Sequence, residues 1–89
     1  MIIWKTNLPI VRDTTRELPA GAKFLDAQNQ DGQLCLWFLC DPDAKETPRT
    51  FRIVGTGKTA PEGIEHWEHI GTVQDPPFVW HVFVEPEST

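Results

Sequence analysis

The stretch RTFRIVGTGKTAP, residues 49–61, gathers three of the eight basic side chains, Arg49, Arg52 and Lys58, around a Gly-Thr-Gly turn. Glycines let backbone N–H groups approach a bound anion, while arginine or lysine pairs with phosphate oxygens and Thr56 adds a hydroxyl donor. The stretch lacks the spacer and the Gly-Lys-Ser/Thr ending of a Walker motif, and the third glycine of a Rossmann pattern. Two interpretations stay open: a phosphate site, or a strand that ends in a glycine turn with solvated basic residues.

Tryptophan is the second residue type with binding chemistry, because an aromatic ring beside a cation can stack on a nucleobase. Trp37 and Trp80 are the candidates, and the alternative is that both belong to the hydrophobic core. Strict alternation places Arg49 and Arg52 on opposite faces of a strand, so they share a pocket only if the strand bends near Pro48 or a neighbouring subunit contributes. The predicted ligand-binding set is Arg49, Arg52, Gly55, Thr56, Gly57, Lys58, Trp37 and Trp80.

The motif HWEH is the remaining candidate for metal or catalytic chemistry. On a strand His66 and His69 point in opposite directions, and a zinc site would still need a third protein ligand such as His81. Cys35 and Cys40 lie in apolar runs, where a thiol is inert, and no serine stands in a glycine-flanked elbow. We therefore predict a protein without catalytic activity, metal or cofactor.

Short segments cut by eight prolines and six glycines must position these residues, and no segment shows a sustained helical repeat. The runs QLCLWFLC and FVWHVFVE are the most β-prone and are apolar on both faces. The sequence predicts one all-β domain over residues 1–89, a small antiparallel sandwich or barrel of six to seven strands. The predicted strands are 2–7, 14–19, 22–30, 33–40, 49–55, the second half of 64–73 after a helical turn, and 78–85, with loops at 41–48 and 56–63.

Two strands with two apolar faces are difficult to cover in a domain of 89 residues with one core. An apolar patch that stays exposed marks an interface. We therefore predict a homo-oligomer, most simply a two-fold dimer that buries Trp37 or Trp80 between subunits. The alternative is a sheet curled strongly enough to bury both faces within one chain.

Charge and composition narrow the class of partner. Thirteen acidic and eight basic residues give a net charge of −5, which argues against general nucleic-acid binding because that requires a basic surface. No apolar run approaches the ~20 residues of a membrane span, so we predict no membrane association. Cys35 and Cys40 point to opposite faces of a strand and are not expected to pair, which suits the reducing cytoplasm.

An ordered set of short motifs spans almost the whole chain: IWK (3–5), LP (8–9), LPAGA (18–22), LW (36–37), DPDA (41–44), RTFRIVGTG (49–57), IGT (70–72) and WHVF (80–83). In this order and spacing the sequence resembles a family of small proteins encoded by bacteriophages and prophages. The resemblance implies a phage accessory protein in the cytoplasm of the host bacterium, and it transfers no catalytic residue.

Two functions fit that setting. The first is a homo-oligomeric binder that sequesters a nucleotide signal of host immunity, a counter-defence role that uses the predicted ligand-binding set. The second is an inhibitor that engages a host protein through an acidic surface. A minor structural role in the virion is a third expectation. The acidic candidates are Asp41, Asp43, Glu46, Glu62, Glu65 and Glu68.

Overall fold

Seven β-strands and one 3-10 turn make up the part of the chain that the computed structural model describes, residues 1–87. Each strand is rich in β-branched or aromatic residues or pairs with one that is, and each ends at a proline, glycine or polar turn. The strands are β1 Ile2–Leu8, β2 Asp13–Pro19, β3 Lys23–Gln30, β4 Gln33–Cys40, β5 Glu46–Gly55, β6 Glu68–Asp75 and β7 Phe78–Val84, and the 3-10 turn is Ile64–His66.

The strands form two antiparallel sheets that pack face to face. Sheet A has the strand order β1-β4-β3, and sheet B has the order β2-β5-β7-β6. One hydrophobic core lies between the sheets, and they do not close into a barrel. The predicted all-β fold of short antiparallel strands is confirmed, in its sandwich form with seven strands.

Alternation along the central strands builds the core. Phe38 of β4 and Val82 and Val84 of β7 are almost completely buried on the inner faces of their sheets. Between the sheets, Phe24 of β3 meets Phe51 of β5 edge-on, with ring centroids 5.3 Å apart and an interplanar angle of 89°. Burial of each of these side chains stabilises the fold by roughly 1.5–3 kcal/mol, so the packing between the two sheets contributes much of the stability.

The two sheets come closest where the edge strands β3 and β6 face each other. A Cβ added at Gly71 would lie 3.1 Å from the nitrogen and 3.3 Å from the Cβ of Ala27, so glycine allows the close approach. Both strands bulge here, between Phe24 and Asp26 in β3 and between His69 and Gly71 in β6. Bulges bend a strand and increase its twist, which closes this side of the sandwich. The edge strands β1 and β2 form the opposite side.

The loop predicted at residues 41–48 is wrong in its last three residues, because β5 begins at Glu46. Pro48 lies inside β5, where it pairs with Glu17 of β2. The strand tolerates a residue without an N–H because β7 ends opposite Phe51 and leaves this part of β5 paired on one side. Pro48 lies in the part of β5 that has a neighbouring strand on one side only, so its missing N–H leaves the backbone hydrogen bonds of the sheet intact.

The hairpin between β3 and β4 turns at Asp31 and Gly32, both with positive φ, of 52° and 84°. The helical turn expected at the start of residues 64–73 is the 3-10 turn, which is followed by β6. Within residues 1–87 no helix has the length and apolar character needed to cross a membrane.

Arg49 is buried inside one end of the sandwich, with 5% of its surface exposed. Its guanidinium lies over the ring of Phe24 at 5.2 Å, donates to the Glu85 carbonyl at 3.3 Å and lies 3.8 Å from the Glu87 carboxylate. The same carboxylate accepts hydrogen bonds from the Gly21 N–H at 3.1 Å and from the Thr47 hydroxyl at 3.0 Å. The segment after β7 is therefore held across this end by a buried cation.

These contacts hold the pKa of the Glu87 carboxyl below its ordinary value of 4.5, first through the Gly21 N–H and then through Thr47 and Arg49. A carboxyl whose pKa is lower in the folded state than in the unfolded state stabilises the fold. This stabilisation is complete above the unfolded-state pKa and is lost as the pH falls through the folded-state pKa. Glu87→Gln should therefore destabilise the protein by about 1 kcal/mol at pH 7, and by less below pH 4.

Urea unfolding of both proteins at pH 7 and pH 3 measures this difference. The matched control is Glu17→Gln, which neutralises an exposed carboxylate of β2. A destabilisation by Glu87→Gln that is the same at both pH values would contradict the proposed contribution of the carboxylate charge.

Candidate functional site

The Gly-Thr-Gly turn ends β5 beside the start of β7. The Lys58 N–H donates to the Gly55 carbonyl at 3.1 Å, and the Thr56 N–H donates to the Val79 carbonyl at 3.1 Å. Gly57 has a φ of 85°, a left-handed conformation that favours glycine. The turn therefore projects Lys58 from the end of sheet B, where the exposed side chain makes no ion pair with another residue of the described range 1–87.

A cleft of about 450 Å³ lies on one side of Lys58. It forms because β2 begins at Asp13, opposite Arg52, so that β5 extends beyond its neighbour. The chain after the turn, residues 58–62, supplies the other wall. Arg12 and Lys58 bring two positive charges to this cleft and Glu62 brings one negative charge. The cleft therefore has a net positive charge in a protein that is acidic as a whole.

An aromatic groove of about 330 Å³ lies on the other side of Lys58. Its walls are the turn residues Gly55 and Thr56 and the beginning of β7, with Pro77, Phe78 and Trp80. The rings of Phe78 and Trp80 stack, with centroids 5.2 Å apart and an interplanar angle of 24°. Phe78 is exposed, so its ring offers an apolar surface to a planar ligand.

Trp80 is fixed in place by contacts on two sides. Its indole Nε1 donates to the Asp75 carboxylate at 3.1 Å, across the hairpin between β6 and β7. On the other side it pairs with Gly55 of β5, where an added Cβ would lie only 3.1 Å from the ring atom Cζ3. Gly55 is therefore required for close packing of the indole, which positions the groove.

Arg52 does not reach either cavity. It points from the outer face of sheet B and forms an ion pair of 2.6 Å with Asp13, with the guanidinium 4.6 Å from the centre of the Trp67 ring. The hydrogen bond from Arg52 holds the pKa of the Asp13 carboxyl below its usual range. Arg49 is on the inner face and buried, so the structure does not bring the two predicted arginines together.

Trp37 lies on the outer face of sheet A, in the other sheet from the turn. Its cross-strand neighbours are Lys5 of β1 and Asp26 of β3. The structure thus unites five of the eight predicted ligand-binding residues and leaves three elsewhere. Those that meet at the turn are Gly55, Thr56, Gly57, Lys58 and Trp80, and those that do not are Arg49, Arg52 and Trp37.

Sequence reasoning missed Arg12 and Phe78. Phe78 follows two prolines and shares a strand face with Trp80 because the two are two residues apart. That spacing indicates that the two rings can stack. The exposure of Phe78 could not be predicted in the same way, because it depends on the position of Phe78 as the first residue of β7. Arg12 gave no local signal, because it reaches the cleft through the pairing of β2 with β5.

Polar side chains cross the outer face of sheet B in a hydrogen-bonded row. Thr56 Oγ1 is 2.7 Å from His81 Nε2, His81 Nδ1 is 3.1 Å from Thr72 Oγ1, and Thr72 Oγ1 is 3.3 Å from His69 Nε2. The Thr56 hydroxyl is therefore engaged within the sheet. His66, the other histidine of the HWEH motif, lies beside Glu65, and across residues 1–87 no three His, Cys, Asp or Glu side chains are grouped to hold a metal ion.

The six acidic residues predicted to engage a host protein are all exposed. They fall in two separate stretches of chain, residues 41–46 from the end of β4 to the first residue of β5, and residues 62–68 around the 3-10 turn. In the first stretch the Asp41 carboxylate accepts the Asp43 N–H at 3.0 Å, a local turn contact. This pattern is typical of a solubilising surface.

Packing of Gly55 against Trp80 gives a test of how the groove is built. Gly55→Ala should lower the stability by roughly 1–3 kcal/mol, because the new methyl group meets the indole at 3.1 Å and forces it to move. In a Trp80→Phe background the same substitution should cost less, because the smaller ring leaves room for the methyl group. Urea unfolding of the two single variants and the double variant measures the coupling, and strictly additive effects would contradict a direct clash.

No curated protein and no solved structure gives a match to the chain. Residues 1–89 match one protein family, described as a domain of unknown function (DUF7352). The match covers the cleft, the aromatic groove and both sheets, and the chain therefore belongs to the DUF7352 family.

Proposed function

We propose that the cleft and the aromatic groove on the two sides of Lys58 bind a nucleotide. The observation that carries the proposal is the position of Lys58, which lines both cavities. A nucleotide joins a planar aromatic base to a phosphate over a short distance. A cation between a stacking surface and a positively charged cleft matches that arrangement.

The base is assigned to the aromatic groove. Phe78 presents an exposed ring that is already stacked on Trp80, so the receiving surface is held rigidly before the ligand arrives. The Trp80 indole is in turn held by Asp75 and by close contact with Gly55. A preformed surface lowers the entropic cost of binding, and stacking contributes roughly 1–3 kcal/mol per base.

The phosphate is assigned to the cleft, between Lys58 and Arg12. The Arg12 side chain is 71% exposed, and its contact with Asp13 is long, at 3.7 Å, so its charge remains accessible to a ligand. Glu62 lines the same cleft and would repel a phosphate at close range, which limits the number of phosphate groups that the cleft accepts. We therefore expect a nucleotide with one or two phosphates to bind better than a triphosphate.

The resemblance to phage and prophage proteins gives this binding a role. A small protein expressed inside the bacterium that holds a nucleotide signal of host immunity lowers the free concentration of that signal without turnover. Linear and cyclic mononucleotides and cyclic dinucleotides belong to the ligand class that the two cavities favour. Sequestration requires affinity and abundance, and the proposed stacking and phosphate contacts would supply the affinity.

Isothermal titration calorimetry of the full chain tests the proposal, with AMP, cyclic AMP, cyclic di-AMP, adenosine and inorganic phosphate as ligands. At least one of the three nucleotides should bind more tightly than adenosine or phosphate alone, because only a nucleotide uses both cavities. Lys58→Glu should weaken binding by at least tenfold, and Phe78→Ala by a factor of about 5–150, which corresponds to one stacking contact.

Two matched variants control for changes in charge and in apolar surface. Lys23→Glu reverses an exposed lysine on β3 of sheet A, and Leu25→Ala shortens an exposed apolar side chain on the same strand. Neither should alter the nucleotide affinity. Absence of binding by all three nucleotides at millimolar concentration, or equal loss in Lys23→Glu and Lys58→Glu, would overturn the proposal.

A further inference from the structure

Strand β1 is an edge strand with one free side. In sheet A it pairs with β4 through Ile2 to Leu8 in one continuous register, and no strand among residues 1–87 pairs with its other side. Arg16 of β2 donates to the Asn7 carbonyl at 3.3 Å, from the other sheet. Backbone groups alternate between the two edges of a strand, so Ile3 and Lys5 also direct their N–H and C=O groups to the free side.

The other three edge strands carry features that block further pairing. Strands β3 and β6 are both bulged and face each other across the closed side of the sandwich. Strand β2 carries Asp13, Arg16 and Glu17 and ends at Pro19. Charges, proline and bulges are the usual protection of sheet edges against association. Strand β1 has no bulge and no proline, and Lys5 is its one charged residue.

Large apolar side chains cluster at the unprotected end of β1. Met1, Ile2, Ile3 and Trp4 are 79%, 42%, 57% and 40% exposed, respectively. Ile2 and Trp4 lie on the inner side of sheet A, beyond the cover of sheet B, and Ile3 lies on the outer side. An edge that exposes both apolar side chains and unpaired backbone groups is a template for another strand.

We infer that a second copy of this chain pairs antiparallel with β1 along its free edge, joining two copies of sheet A into one six-stranded sheet. A second copy fits because the apolar segment is its own complement. Two-fold pairing centred on Trp4 places Trp4 beside Trp4 of the second copy, Ile3 beside Lys5 and Ile2 beside Thr6. Aromatic pairs in neighbouring strands are stabilising, and this register sets no like charges opposite each other.

The alternative two-fold register centred on Lys5 is disfavoured for two reasons. It sets Lys5 directly opposite Lys5 of the second copy, and like charges in a cross-strand pair are destabilising. It also requires a backbone bond at Asn7, whose carbonyl already accepts from Arg16. The register centred on Trp4 uses the edge from Ile2 to Thr6 and leaves the Arg16 contact intact.

The size of the interface sets the strength expected. A large apolar side chain that is fully exposed presents about 150–250 Å² of surface. At the exposed fractions of Met1, Ile2, Ile3 and Trp4, a dimer would bury on the order of 800 Å² of apolar surface from the two copies together. Stable interfaces of standard size bury about 1,200–2,000 Å². We therefore expect a weak dimer that dissociates on dilution, and the interface differs from the one predicted at Trp37 or Trp80.

Sedimentation velocity of the full chain over a range from micromolar to millimolar concentration tests the dimer. The wild-type chain should shift from monomer to dimer as concentration rises. Ile3→Lys should remain monomeric, because each new lysine would face Lys5 of the second copy. The matched control is Leu25→Lys on β3, whose side chain is 46% exposed on sheet A away from the free edge, and it should dimerise like wild type.

A charge-reversal pair tests the register itself. The double variant Ile3→Lys/Lys5→Glu places opposite charges in the pairs that Ile3→Lys makes repulsive, so it should recover the dimer. In the register centred on Lys5, residue 3 faces Asn7 and no recovery is expected. A wild-type chain that stays monomeric at millimolar concentration, a dimer that survives Ile3→Lys, or a double variant that stays monomeric would each overturn the inference. Far-ultraviolet circular dichroism shows whether every variant retains the β fold.

Discussion

The contact of Phe24 with Phe51 joins the two sheets across the core, and it fixes which face of β5 is inward. Side chains alternate strictly along a strand, so an inward Phe51 places Arg49 inside the sandwich and Arg52 on its outer face. The same alternation directs Gly55 toward Trp80, where the lack of a side chain lets the indole pack closely. Burial of one aromatic residue thus determines the place of every basic or glycine residue along β5.

The two arginines then need different partners, and each one connects parts of the chain that are distant in sequence. A buried guanidinium is costly without partners, and Arg49 donates one hydrogen bond to the Glu85 carbonyl and lies 3.8 Å from the Glu87 carboxylate after β7. Arg52 at the surface pairs with Asp13 at the start of β2 and stacks on Trp67. Neither is available to a ligand, which leaves Lys58 and Arg12 as the cations of the cavities.

Most of the fold could be predicted from the sequence, because runs such as residues 33–40 are β-prone throughout and end at turn residues. The bounds of β5 could not, since a strand that includes Pro48 depends on where β7 ends. The part of the candidate site formed by residues close together in sequence, the turn that carries Lys58, could be predicted. Its other parts depend on pairing: Arg12 reaches the cleft through β2, and Phe78 is exposed because it begins β7 at the sheet end.

Electrostatics favours a small ligand over a polymer at Lys58. The chain has a net charge of −5, so its electrostatic field repels a polyanion at a distance. Within a few ångströms of the cleft, the positive charges of Lys58 and Arg12 outweigh the negative charge of Glu62. Screening at physiological salt, with a Debye length of about 8 Å, weakens the distant repulsion far more than the attraction in direct contact. The proposed nucleotide would fit within that short range, whereas a nucleic acid would extend over the acidic surface beyond it. Under the proposed function, the overall charge would therefore select against long polyanions, which the local cations alone would not do.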